Sequence, residues 1–174
     1  GSEMCIRDRV ITGYGINSDI ELAHIFNMAG AEAERVHIND LISGSRTMEE
    51  FDILSFPGGF SFGDHIASGK VYANKVKVFL KDQLFAAKKR GVPMIGICNG
   101  FQVLVKLGLL PGKEDRFEQT CSLIHNDSAK FEDRWCYLKG NSNSKSIWTK
   151  NIDTIYLPVR HGEGKFVTAD DSVL

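Results

Sequence analysis

Short apolar runs alternate with longer stretches in which apolar residues recur every three or four positions, the pattern of strands interleaved with helices. Arg9-Val10-Ile11-Thr12 reads as a strand that meets a glycine turn at Gly13-Tyr14-Gly15. Ser18-Asp19 then opens a helix over residues 20–29, ended by Gly30. Arg35-Val36-His37-Ile38 is the second strand, and Asp40-Leu41-Ile42 leads into a loop. The third strand, residues 51–56, runs into Pro57-Gly58-Gly59, and residues 71–90 carry one continuous helical pattern. Lys88-Lys89-Arg90 suits the negative end of that helix. A fourth strand, Pro93-Met94-Ile95-Gly96-Ile97, is followed by a helix whose body starts at Phe101 and stops at Gly108.

Strands alternating with helices imply an α/β fold: a doubly wound, mostly parallel, flavodoxin-like sheet covered on both faces, with ligands bound beyond the carboxyl ends of the strands. Gly58-Gly59 and Cys98 both fall at such ends. After Gly112 the pattern changes to short strands around Cys121-Ser122-Leu123-Ile124, residues 135–138 and residues 154–159, separated by polar turns. This part is expected to be β-rich and antiparallel, with residues 140–146 as a loop.

The two ends of the chain read differently from its middle. Residues 1–9 resemble an expression or assembly remnant, leaving 10–174 as the domain. Asp170-Asp171-Ser172-Val173-Leu174 is polar and lacks a closing helix, so the domain is expected to be without its C-terminal segment.

Composition narrows the class. The chain has 174 residues, 43% of them hydrophobic, and a formal charge of -1, enough for one well-cored domain. Without a block of clustered Lys and Arg, nucleic acid is not expected as a partner. No apolar run approaches the ~18 residues of a membrane span, so neither a membrane partner nor a membrane location is expected. Four cysteines and five histidines form no metal-ligand spacing, and a reduced, cytoplasmic setting fits them. Gly13-Tyr14-Gly15 lacks the third glycine of a dinucleotide fingerprint, and no lysine follows in a phosphate-loop arrangement.

The chemistry concentrates at Gly96-Ile97-Cys98-Asn99-Gly100. One cysteine stands between two glycines where a strand must turn sharply into a helix, the geometry by which a nucleophile elbow exposes its side chain. The positive end of the following helix favours thiolate over thiol. Attack by that thiolate on a carbonyl creates an oxyanion, which needs backbone donors nearby. Gly59 and Asn99 are the candidate donors, and Gly58 and Phe60 candidate substrate-binding residues, although Pro57-Gly58-Gly59-Phe60 taken alone also reads as an ordinary loop. Gln102 lies one helical turn beyond Cys98, on the same face, as a candidate substrate ligand or as a solvated helix residue.

Together with Gly13-Tyr14-Gly15-Ile16-Asn17, the run Phe56-Pro57-Gly58-Gly59-Phe60-Ser61-Phe62-Gly63-Asp64, Leu109-Leu110-Pro111-Gly112 and His161-Gly162-Glu163-Gly164, these residues make the chain resemble the class I glutamine amidotransferases. Within that family it is similar to the branch that supplies ammonia to phosphoribosylformylglycinamidine synthase. The resemblance implies that Cys98 attacks the side-chain amide of glutamine, forms a glutamyl thioester and releases ammonia. It implies a synthetase subunit and a small accessory subunit as partners, with ATP and magnesium on the synthetase and no cofactor or metal in this chain. The family's base is a histidine in a Pro-His-Pro-Glu element, which these 174 residues do not contain. His161 and Glu163 have a similar His-x-Glu spacing but match the separate His-Gly-Glu-Gly element, and are kept as secondary candidates. His24, His65 and His125 are weaker ones, and Ser18 replaces a cysteine common in relatives. Lacking the base, this chain alone is expected to be a weak or inactive glutaminase. Two other readings stand beside this one. One is a catalytically silent glutamine-binding or assembly module. The other is a different cysteine enzyme on a similar sheet, a group that usually places histidine where this chain has Asn99.

Overall fold

The computed structural model describes residues 5–112 and 117–170; residues 1–4 of the suspected remnant and residues 171–174 of the polar end lie outside the described residues. The chain divides into two compact units, one holding residues up to Ser122 together with those from Phe166 onward, the other Leu123–Lys165.

The first unit is built on a four-stranded parallel sheet of β1 (Arg7–Thr12), β2 (Glu32–His37), β3 (Ile53–Phe56) and β4 (Met94–Gly96), in the order β2-β1-β3-β4. Neighbouring residues of a strand face opposite ways, and β1 shows the consequence. Val10 packs with Leu22 and Ala23 of α1 (Asp19–Met28), while Ile11 joins Leu54, Phe56 and the side chains of the remaining helices. Those are α2 (Ile38–Ser43), α3 (Lys70–Phe79), α4 (Lys81–Lys89) and α5 (Asn99–Leu107). The sheet is thus covered on both faces, as the alternating pattern predicts.

Three local differences from the sequence reading have simple causes. Strand β2 begins earlier, at Glu32, because it is an edge strand and one side of it tolerates charge. The loop expected after it is a six-residue helix, α2, capped at one end by the His37 ring, which accepts the Asn39 N–H at 3.1 Å, and closed at the other by left-handed Gly44. The single helix expected over 71–90 is two, α3 and α4, joined at Leu80 with φ -122°. Val76, Leu80 and Leu84 all remain in the core, so the i, i+4 pattern runs through the break and hides it.

In the second unit β6 (Glu132–Lys139) and β7 (Thr154–His161) form an antiparallel ribbon, as expected for this part. Trp135, Tyr156 and Tyr137 stack along one of its faces with centroids 4.9 and 4.5 Å apart. Strands β5 (Cys121–His125) and β8 (Glu163–Thr168) pair with each other and carry the chain between the units.

Candidate active site

Strand β4 ends at Gly96 and α5 starts at Asn99, leaving two residues for the reversal. Ile97 N–H is held by Phe56 O at 3.0 Å, continuing the sheet, and Ile97 O already accepts Gly100 N–H at 2.9 Å. Cys98 absorbs the turn with φ 54° and ψ -114°, a conformation costly for a residue with a β-carbon, and its side chain is exposed. Both flanking glycines are required by contact. A β-carbon on Gly96 would stand 2.7 Å from Gly100 O and from Leu104, and one on Gly100 would overlap Phe56 O. The elbow is therefore a close meeting of β3, β4 and α5 backbones.

Helix α5 is anchored from beneath. Val103, Leu104 and Leu107 are buried in the main core, each stabilising by about 2 kcal/mol. Gly108 closes the helix in the left-handed region. As the first helical residue, Asn99 has a backbone N–H with no intrahelical acceptor, so it is available at the helix start where the dipole is positive.

The Pro57-Gly58-Gly59 turn at the end of β3 sits against this elbow. A β-carbon on Gly58 would lie 3.3 Å from Cys98 Cβ and 3.0 Å from Ser18 Oγ, which brings Gly58, Ser18 and the nucleophile together. Gly59 has φ 144°, and any β-carbon there would meet Gly15 O at 2.6 Å and Ile16 Cα at 2.8 Å. The turn is fastened to the β1–α1 loop: Gly58 O accepts from Asn17 N–H (3.3 Å) and Ser18 N–H (3.4 Å), and Phe60 N–H donates to Gly15 O at 2.8 Å. The Phe60 ring is exposed. Thus the glycine pair and the elbow, 40 positions apart in sequence, form one surface.

Gln102 is not a solvated helix residue. It is buried, and its Oε1 accepts from Asn99 Nδ2 at 3.0 Å. The Asn99 side chain, which carries no signal in the sequence beyond its backbone N–H, is fully buried and bonded to three neighbours, Ser61, Asp64 and Gln102.

His161 and Glu163 belong to the second unit. Asn126, itself buried, donates through Nδ2 to Lys130 O (2.9 Å) and His161 O (2.8 Å), which turns Oδ1 toward His161 Nδ1 at 2.9 Å and Gly164 N–H at 3.1 Å. An amide oxygen can only accept, so Nδ1 of His161 carries a hydrogen toward it. Asn126 carried no sequence signal, since a single asparagine in a polar turn reads as loop. Of the weaker candidates, His24, His65 and His125 are all exposed. Among the described residues no group of three or more His, Cys, Asp or Glu side chains is placed to hold a metal ion, and no helix is long and apolar enough to cross a membrane.

Residues 7–174 match the family model of the CobB/CobQ-like glutamine amidotransferase domain. The chain is 42% identical over 168 residues to the phosphoribosylformylglycinamidine synthase subunit PurQ of Dehalococcoides mccartyi, covering 97% of this chain and 66% of that protein. It is 46% identical over 167 residues to the subunit of the same name from Methanococcus maripaludis strain C7, covering 95% of this chain and 61% of that protein. The chain therefore spans somewhat under two thirds of the length of these relatives. Among solved structures, a chain in PurLQS from Thermotoga maritima superposes with a TM-score of 0.79 at 29% identity, covering 97% of this chain and 72% of that one.

Proposed function

Since the chain belongs to the glutamine amidotransferase family, we propose that it is the glutamine-hydrolysing part of a phosphoribosylformylglycinamidine synthase, acting through Cys98. The observation that carries the reading is Cys98 itself, held at φ 54° on the β4–α5 turn with Gly58 against its Cβ. A thiolate there attacks the carboxamide carbon of glutamine, and the carbonyl oxygen takes up the negative charge. The Gly59 and Asn99 N–H groups are the proposed donors to that oxygen, and preorganised donors of this kind are worth about 10²- to 10³-fold each. Gly58 and Phe60 flank the substrate, while Gln102 acts by holding Asn99. Collapse of the tetrahedral species expels ammonia once the nitrogen has gained a proton, leaving a glutamyl thioester on Cys98 that water hydrolyses to glutamate and free thiol.

The ammonia is proposed to pass to a synthetase subunit, assisted by a small accessory subunit, with ATP and magnesium bound on the synthetase, in the cytoplasm. No Pro-His-Pro-Glu element occurs among these 174 residues. General acid and base assistance is worth about 10²- to 10⁴-fold, so this polypeptide taken by itself is proposed to be a weak glutaminase. The same observation favours a second reading, a glutamine-binding or assembly module without turnover.

The test is intact-mass measurement after exposure to 6-diazo-5-oxo-norleucine, an electrophilic glutamine mimic. The expected result is a single adduct, whose formation glutamine slows and which is absent in Cys98→Ala. Adduct formation that glutamine does not slow, or none on a Cys98 that iodoacetamide alkylates, overturns the reading of a formed glutamine site.

A further inference from the structure

The segment from Gly59 to Gly69 holds a dense run of left-handed backbone. Phe62, Asp64 and Ile66 have φ of 52°, 50° and 77°, interleaved with Gly63 at 68° and followed by Gly69 at 73°. Each such non-glycine residue is sterically disfavoured, and persists only where its surroundings over-determine it. Packing of Ile66 does not provide this, because its side chain is 89% exposed.

Backbone bonds tie the start of the segment to the β1–α1 loop, Phe60 N–H to Gly15 O at 2.8 Å and Phe62 N–H to Tyr14 O at 2.9 Å, and one side chain on the elbow ties its start, middle and end together. Asn99, the residue directly after Cys98, is 0% exposed. Its Oδ1 accepts Ser61 N–H at 3.1 Å at the start of the segment, and its Nδ2 donates to Asp64 Oδ1 at 2.9 Å in the middle. Asp64 Oδ1 in turn accepts Gly69 N–H at 3.2 Å at the end. One carboxylate oxygen thus gathers two N–H groups, and hydrogen bonds to a charged acceptor are about twice as strong as neutral ones. Gln102 Oε1 takes the second hydrogen of Nδ2, leaving the amide one orientation. Two residues before Ser61 stands Gly59, the proposed oxyanion donor.

We propose that the Asp64–Asn99 pair is a positioning device for the nucleophile: it locks the strained 59–69 segment to the residue following Cys98, so that the Gly59 N–H is held in register with the Asn99 N–H. The inference rests on the thioester reading above. Neither side chain touches the reacting atoms; both act through the backbone they hold. Asn99 thus ties the segment that follows Gly59 to the helix start that carries the second donor.

The experiment compares the 174-residue protein with Asn99→Asp, with Asp64→Ala, and with the double exchange Asp64→Asn plus Asn99→Asp. Asn99→Asp sets two carboxylates against each other, Asp64→Ala removes the acceptor, and the exchange restores a donor–acceptor pair in reverse. Two rates are measured at Cys98: alkylation by iodoacetamide, which needs only an accessible thiol, and labelling by 6-diazo-5-oxo-norleucine, which needs the carbonyl held. Backbone hydrogen exchange over 59–69 is followed in parallel. Expected are a loss of the diazo-ketone rate by about tenfold or more in both single variants, iodoacetamide rates within about twofold, and recovery of most of the loss in the exchange. Exchange protection at Ser61 and Gly69 should fall and recover together. Unchanged protection in the single variants, or a diazo-ketone rate that falls without recovering in the exchange, overturns the proposal. An unmodified protein that iodoacetamide labels and the diazo-ketone does not overturns the glutamine reading instead, and the exchange measurement still decides whether the pair locks the segment.

Discussion

Two charged side chains, Asp8 and Arg9, are fully buried on an interior strand of the sheet. The Arg9 guanidinium lies 3.4 Å from the centroid of the Phe51 ring, yet none of its nitrogens has a hydrogen-bond partner, and Glu34 stands 3.8 Å away. Asp8 accepts from Ser55 Oγ through one oxygen at 2.8 Å while the other is unpaired. Burial pushes the Asp8 carboxyl from 3.8 up to about 6, the Ser55 hydrogen bond opposing it. The folded chain therefore binds this proton more tightly than the unfolded chain. Its contribution is present in full below pH 3.8 and is lost as pH rises through about 6, a loss of roughly 3 kcal/mol. Urea midpoints recorded from pH 4 to 7 should show this fall in the parent chain and not in Asp8→Asn; parallel curves would refute it. At Cys98 the conformational and the chemical cost coincide in another way, since the backbone angle that exposes the thiol is one that only the surrounding glycine contacts enforce.

Among the elements, α5 does the most with the least sequence. Nine residues supply the helix start beside the nucleophile, the buried face against α3, and Asn99 and Gln102. Its approach to β3 leaves no room at Gly100, so Gly100→Ala must separate helix from strand. A cost of about 3 kcal/mol or more is expected in chemical denaturation, with the iodoacetamide reactivity of Cys98 altered in the folded remainder. An alanine tolerated within about 0.5 kcal/mol would mean that the contact relaxes freely. The elbow was legible because strand, glycine, cysteine, glycine and helix follow one another directly in the chain. The break at Leu80 was not, because hydrophobic spacing records which face is buried and not whether the axis continues. Nor was α2, whose six residues are too few to establish a helical period.

On the scale of the whole molecule the chain resolves into two units of unequal cohesion. The smaller, Leu123–Lys165, has a ribbon with exposed side chains on both faces and draws much of its order from Asn126. That one side chain makes four hydrogen bonds, to Lys130, His161 (twice) and Gly164. Asn126→Ala leaves buried polar groups unpaired and should lower local stability by about 2 to 4 kcal/mol. Hydrogen exchange is expected to speed up across 123–165 while β1, β3 and α5 keep their protection; a uniform increase over both units would show that they unfold as one. The alternation of strands and helices, the elbow at Cys98 and the glycine pair at positions 58 and 59 are readable along the chain, because each depends on neighbours in the chain and on local backbone sterics. That Gly58 lies against Cys98, that Asn99 reaches Asp64 across 35 positions, and that Asn126 reaches the His161 ring across another 35 emerge with the packing of the chain. Those are meetings between distant segments, and a polar side chain carries no mark of its partner until packing has excluded water from around it.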